Sequence, residues 1–185
     1  MSDITFHKIS WADLEKDCLT MYSKLKTVDV DTIVAISRGG LVISRILSDF
    51  LSKPISHITI SSYESLNKTK EPFIDEAPSK LFKNESILIV DEVSDTGKTF
   101  ERAVSYFKNF PVKKIYTASP YIKPQTQFTP DFWVKKLEAW IVFPYEIRET
   151  VEAFQKIFTA PGKAQEKLIE VGLDNWETDQ FTEAK

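Results

Sequence analysis

Ile87-Leu88-Ile89-Val90-Asp91-Glu92-Val93-Ser94-Asp95-Thr96-Gly97-Lys98-Thr99 changes character twice in a short space. Four apolar residues, the pattern of a strand buried on both faces, stop at two adjacent acids. A third acid follows, then a small hydroxyl- and glycine-bearing turn. From about Gly97 a helix is expected, with Phe100, Val104 and Phe107 along one side. This is a strand–loop–helix unit whose loop carries all the chemistry.

Upstream the pattern recurs. Thr32–Ile36 is a short, nearly continuous apolar run, broken by Ser37-Arg38-Gly39-Gly40. Leu41–Leu51 then reads as a helix with Leu41, Val42, Ile46, Leu47 and Phe50 inward. Before it, Ser10 is placed to cap a helix from Trp11 to about Lys26, with Trp11, Leu14, Cys18, Met21, Tyr22 and Leu25 on one face. Further strands are expected at His57–Ile60 and Lys114–Ala118, and shorter ones at Phe132–Val134 and Trp140–Phe143. The segment from Ser62 to Asn84 turns polar, with Pro72 and Pro78, and reads as a long loop. The last forty or so residues read as helical, with Ile147, Val151, Phe154 and Phe158 at helical spacing. Strands alternating with helices give an α/β fold: a mostly parallel twisted sheet with helices on both faces. In such sheets ligands bind at the carboxyl ends of the strands, which selects the loops after Ile36 and Val90.

Composition bounds the classes. At 185 residues, with 42% apolar and 28% charged residues, the chain is expected to be an ordinary single globular domain. A net charge of −3 without a Lys/Arg run argues against nucleic-acid or membrane partners. A single cysteine, Cys18, excludes an internal disulfide and a cysteine metal cluster. Met-Ser-Asp-Ile-Thr does not read as a signal peptide, and no apolar run approaches the ~20 residues of a membrane span, so a cytoplasmic protein is expected.

Of five glycines, three (Gly39, Gly40, Gly97) fall in the two selected loops. There glycine permits positive φ or close approach of a ligand. Backbone N–H groups at the start of the helix after Asp95, with the Thr96 and Thr99 hydroxyls, make a phosphate nest. Asp91 and Glu92 suit ribose hydroxyls or Mg2+, which prefers oxygen ligands. A phosphate site beside a diol-and-metal site describes a sugar phosphate. Gly97-Lys98-Thr99 is not the end of a P-loop, because the glycine required five residues earlier is Glu92. The dinucleotide fingerprint G-x-G-x-x-G is absent from the chain.

Val90-Asp91-Glu92-Val93-Ser94-Asp95-Thr96-Gly97-Lys98-Thr99 resembles the phosphoribosyl-pyrophosphate motif of type I phosphoribosyltransferases. Ile36-Ser37-Arg38-Gly39-Gly40-Leu41 resembles the pyrophosphate loop of the xanthine-guanine (6-oxopurine) branch. Ser61-Ser62-Tyr63 resembles the start of the mobile loop of that branch, and Lys123-Pro124 with Trp140-Ile141 its purine site. The resemblance runs from about Trp11 to Glu146. The family often carries Glu-Asp or Asp-Asp where this chain has Asp91-Glu92.

The resemblance implies a purine-salvage enzyme that joins a 6-oxopurine to ribose 5-phosphate from phosphoribosyl pyrophosphate. It implies Asp95 as the catalytic group handling the base proton, with a helix N-cap as the plain alternative. Arg38 and Gly39 would meet pyrophosphate across a strained or cis Ser37–Arg38 peptide. Asp91, Glu92, Ser94, Asp95, Thr96, Gly97, Lys98 and Thr99 would bind the sugar phosphate, with Glu92 and Asp91 also near Mg2+. Lys123 would donate to O6, Trp140 would stack on the base and Ile141 would offer backbone groups. Against Trp140 stands the reading of a core aromatic. His7, His57 and Cys18 are expected to be structural. The expected organisation is residues 1–149 as the transferase domain with a hood and a mobile loop at about 63–84; the resemblance says nothing of 150–185, which is expected to be a helical extension of the same domain. A homo-oligomer, dimer or tetramer, is expected. Two alternatives stay open: a phosphoribosyltransferase for adenine, orotate or uracil, and a non-catalytic regulator that binds phosphoribosyl pyrophosphate.

Overall fold

In the computed structural model, which describes residues 4–62 and 71–182, the chain divides into two compact units. One comprises residues 15–137, the other 1–14 together with 138–185. The carboxyl-terminal helices belong to the second of these, with the amino-terminal strand.

The larger unit is built on a seven-stranded sheet. Its strands are β2 (Thr32–Ser37), β3 (Ile55–Ser62), β4 (Pro72–Glu76), β5 (Ser86–Val90), β6 (Val93–Ser94), β7 (Lys114–Ile122) and β8 (Phe132–Lys136). The path runs β4-β3-β2-β5-β7, and both β6 and β8 pair with β7. All pairings are parallel except β3 with β4. β5 and β6 follow one line along β7: Val90 faces Ala118 and Val93 faces Tyr121, so the register is kept across Asp91-Glu92. The two acids thus interrupt a strand without shifting it.

β2 and β5 are buried along almost their whole length, as their apolar runs require. Val34, Ile36, Ile87 and Ile89 pack with Phe100, Ala103 and Phe107 of helix α3 (Lys98–Phe107). Ile33, Ala35, Leu88 and Val90 alternate to the other face and are also buried. Helix α2 (Gly40–Leu51) lies against β2, β3 and β5. The expected inward face of α2 is corrected. Leu41 is 41% exposed, while Gly40, Ile43, Ser44 and Leu47 are buried. Gly40 sits so close to the Val90 carbonyl that an added Cβ would lie 2.4 Å from its oxygen. That approach sets the helix phase: with Gly40 inward, positions three, four and seven residues on must follow it.

Helix α1 (Trp11–Leu25) starts as expected. Ser10 Oγ accepts from the Asp13 N–H at 3.1 Å, and the Asp13 carboxylate bonds back to Ser10. Leu14, Cys18, Met21 and Leu25 are buried, but Trp11, expected inward, is 58% exposed. It stands in the first helical position, outside the buried stripe, with its ring 6.1 Å from that of Tyr145.

Of the excursion expected at 63–84, residues 63–70 lie outside the described residues. The remainder is more ordered than a loop. β4 forms an antiparallel edge strand on β3, and Phe82 is buried in the core. A proline opening an edge strand and polar residues on it are compatible with one unpaired side, and the sequence pattern concealed the strand for that reason.

The smaller unit joins β1 (Phe6–Lys8) in parallel to β9 (Trp140–Val142) and adds helices α4 (Ile147–Ile157), α5 (Lys163–Val171) and α6 (Asn175–Thr182). Val142, Val151, Phe154, Leu168 and Leu173 form its core, with Phe6 and Phe158 against it. Lys8 Nζ fastens β1 to the helices by donating to the Gly172 carbonyl at 2.7 Å and to Glu177 at 2.9 Å.

Candidate active site

β2 and β5 are parallel neighbours, so their carboxyl-terminal loops emerge side by side. The loops touch. A Cβ built on Gly39 would lie 2.1 Å from the Glu92 carboxylate carbon, so the Glu92 head occupies the space that Gly39 leaves. Gly39 has an ordinary helical φ of −58°. Its glycine is needed for close approach rather than for positive φ. Gly97, at φ +89°, is the loop glycine that needs the left-handed region. The Ser37–Arg38 peptide is cis, as the resemblance suggested.

Asp91 is buried, and its Oδ1 accepts from the Glu92 N–H at 3.0 Å. Glu92 Oε2 is buried and has no hydrogen-bond partner among the described residues. A buried carboxylate oxygen without a partner is costly, and a cation or a hydroxyl donor would relieve it. Two hard-oxygen side chains, one with an orphaned buried oxygen over a glycine, are a donor set that fits Mg2+. Among the described residues no group of three or more His, Cys, Asp or Glu side chains is placed to hold a metal by itself. A metal here would take further ligands from substrate or water.

Residues 91–97, with Thr99 and Phe100, line a cavity of about 190 Å³. α3 begins at Lys98, and its N-cap Gly97 supplies no side-chain cap; the Lys98 N–H meets Thr96 Oγ1 only at 3.5 Å, so the helix start is open to an anion. Asp95, the alternative cap, does not serve as one. Its Oδ1 accepts instead from Gln125 Nε2 at 2.5 Å. Thr96 is exposed, and its carbonyl accepts from the Gln127 N–H at 3.0 Å. Lys98 turns its ammonium to Glu71 at 2.8 Å, so its backbone is the part left for an anion. Arg38, in the loop after β2, is exposed. Ser94, expected to touch ligand, is buried, and its hydroxyl is engaged by Thr126 Oγ1 and the Phe128 carbonyl, both at 2.8 Å. It holds the loop in place.

Lys123 is 8% exposed, at the end of β7. Burial lowers its pKa from the usual lysine value, and the negative charge of Asp95 pulls it partly back. In the smaller unit Trp140 is 47% exposed, so the core-aromatic reading does not hold; Ile141 beside it is buried. His57 stands at the surface, 3.5 Å from Glu76. Cys18 is fully buried, and its thiol is pushed up to about 12, by burial first and then by Asp17 and Glu15.

Sequence reasoning missed the segment after β7. Gln125, Thr126, Gln127 and Phe128 all bond to or pack on residues 94–97. The polar run Gln125-Thr126-Gln127 beside Lys123 was the available signal.

A parallel sheet whose adjacent loops offer paired acids, an uncapped helix start and an arginine defines a protein that handles a phosphorylated sugar. Residues 18–150 match the phosphoribosyl transferase domain family, and the chain belongs to it. The xanthine-guanine phosphoribosyltransferase of Desulfotalea psychrophila is 33% identical over 146 residues, covering 76% of this chain and 86% of its own. That of Cereibacter sphaeroides is 28% identical over 152 residues, covering 77% and 87%. A purine phosphoribosyltransferase from Pyrococcus horikoshii superposes with a TM-score of 0.70 at 33% identity, over 76% of this chain and 93% of its own. α5 and α6 lie beyond the family match.

Proposed function

We propose that this chain is a purine-salvage phosphoribosyltransferase, transferring ribose 5-phosphate from phosphoribosyl pyrophosphate to a 6-oxopurine and releasing pyrophosphate. The observation that carries it is the junction of the two loops: Glu92 against Gly39, beside the uncapped start of α3. It is supported by the likeness to xanthine-guanine phosphoribosyltransferases.

On this reading the 5′-phosphate sits on the backbone of 96–99, and Asp91 and Glu92 hold the ribose hydroxyls. A purine ring nitrogen forms a bond to C1′ while the C1′–O bond breaks and its electron pair leaves on pyrophosphate. Charge builds on the sugar as in other glycosidic chemistry. Arg38 answers the negative charge of the departing group with a planar, bidentate donor. The proton displaced from the base passes to Asp95. Mg2+, held by Glu92 and Asp91, would supply further charge neutralisation to the pyrophosphate when bound.

Lys123 selects the base on chemical grounds. Its ammonium only donates, so it suits the O6 acceptor of guanine, xanthine or hypoxanthine and not the amino group of adenine. Trp140 and Ile141 are assigned to stacking and to the base edge on the same reading. A dimer or tetramer is part of the proposal and is read by light scattering.

The test is a panel of bases incubated with phosphoribosyl pyrophosphate and Mg2+, scoring nucleotide formed. Turnover of 6-oxopurines over adenine, orotate and uracil is expected. Turnover of another base moves the assignment within the family, and binding of phosphoribosyl pyrophosphate without turnover of any base points to a regulator.

A further inference from the structure

We infer that Gln125 is a positioning residue that orients the Asp95 carboxylate for the proton transfer, an inference that rests on the function proposed above. The argument starts from the backbone. Beyond β7 the chain makes a turn and continues alongside the 94–97 loop, fixed on both sides of Asp95. The Lys123 N–H donates to the Ser94 carbonyl at 3.0 Å, and the Gln127 N–H donates to the Thr96 carbonyl at 3.0 Å. Thr126 N–H donates to the Lys123 carbonyl at 3.2 Å, which closes the turn that carries Gln125. The turn is also anchored below: Ser94 Oγ bonds to Thr126 and Phe128, and the Phe128 ring stacks on Phe100 at 5.4 Å and 7°. At Gly97 the two segments are so close that a Cβ would lie 2.5 Å from the Phe128 nitrogen.

From this anchored turn Gln125 Nε2 reaches Asp95 Oδ1 at 2.5 Å. A carboxylate accepts and does not donate, so the amide nitrogen is the matching group. Asp95 and Gln125 are both exposed, and an isolated bond between them would be weak. What gives it direction is that both backbones are held. With Oδ1 engaged, the carboxylate plane is set and Oδ2 is left to accept from the base. An Asp95 free to rotate would present that oxygen only part of the time, which lowers the rate without weakening sugar-phosphate binding.

The test is a double-mutant cycle on the full chain: wild type, Gln125→Ala, Asp95→Ala and the double variant. Steady-state kinetics on guanine, xanthine and hypoxanthine give kcat and the KM for phosphoribosyl pyrophosphate, and a thermal melt checks folding. Gln125→Ala is expected to lower kcat about ten-fold, with the KM for phosphoribosyl pyrophosphate and the melting temperature nearly unchanged. In the Asp95→Ala background the same change should do nothing further, because the residue it orients is gone. Gln125→Asn, a shorter donor, should restore part of the loss, and Gln125→Glu should not. Wild-type kcat in Gln125→Ala overturns the inference, and so does an equal fractional loss in both backgrounds, the mark of a merely structural role. A wild-type chain that forms no nucleotide from any base overturns the functional reading itself, and this inference with it.

Discussion

The Glu92 carboxylate fills the space where a side chain on Gly39 would stand, with an added Cβ only 2.1 Å from Glu92 Oε2. Replacing Gly39 by Ala must therefore push the carboxylate aside. A carboxylate at the end of a flexible stem moves at little cost, so folding should change by less than about 1 kcal/mol. The affinity for magnesium–phosphoribosyl pyrophosphate should fall about ten-fold or more, by loss of one charged contact. Gly40→Ala provides the contrast. Its Cβ would meet the Val90 backbone oxygen at 2.4 Å. Backbone cannot step aside, and a loss of roughly 1–3 kcal/mol in stability is expected. Calorimetric titration and denaturant melts on the two variants separate the effects.

Removing magnesium with excess chelator should abolish turnover, and restoring it should recover the activity. Glu92→Gln keeps the shape and removes the charge; it should raise the magnesium concentration needed for half-maximal rate. Full turnover in chelator would falsify the assignment of Asp91 and Glu92.

Lys123→Met keeps length and removes the donor. A charged hydrogen bond is worth roughly 1.5–3 kcal/mol, so kcat/KM for guanine, xanthine and hypoxanthine should fall together by about ten- to a hundred-fold. Binding of phosphoribosyl pyrophosphate should survive. Full activity of this variant on 6-oxopurines would show that the base site lies elsewhere.

The pH profile follows from the same lysine. Its pKa is lowered, by burial, from 10.5. The protonated donor exists below that pKa, so activity should fall on the alkaline side before 10.5 is reached. Asp95 raises the value through its charge, so Asp95→Asn should move the alkaline limb of its residual activity to lower pH. Lys123→Met should lack the limb.

Trp140→Leu should weaken every purine by about ten-fold, since stacking on a base face contributes roughly 1–3 kcal/mol and does not distinguish bases. Equal affinity in wild type and variant, measured for each base with phosphoribosyl pyrophosphate present, would remove Trp140 from the site.

Cys18 should be inert in the native protein. Buried, with its thiol near 12, it carries almost no thiolate at neutral pH. A thiol reagent should react only after denaturant is added.

What could be read from the chain alone was what is local along it. The apolar runs at Thr32–Ile36 and Ile87–Val90, each followed at once by a polar, glycine-bearing turn and a periodic helix, specify strand, loop and helix by their own spacing. The parallel sheet, the two loops, Asp91, Glu92, Asp95 and the Ser10 cap follow from such local signals. Tertiary structure decided what depends on residues far apart in sequence. Phe6–Lys8 becomes a strand only because Trp140–Val142 lies beside it, and three residues carry no period of their own. α2 takes its phase from the Val90 carbonyl, which turns Leu41 outward against its hydrophobicity. Gln125 stands at Asp95 because β7 runs four residues past the expected Ala118 to Ile122 and the chain then turns beside the 94–97 loop. Periodicity records which face of an element is apolar. It does not record which distant backbone that face, or that loop, will meet, because the meeting is set by the closure of the whole sheet.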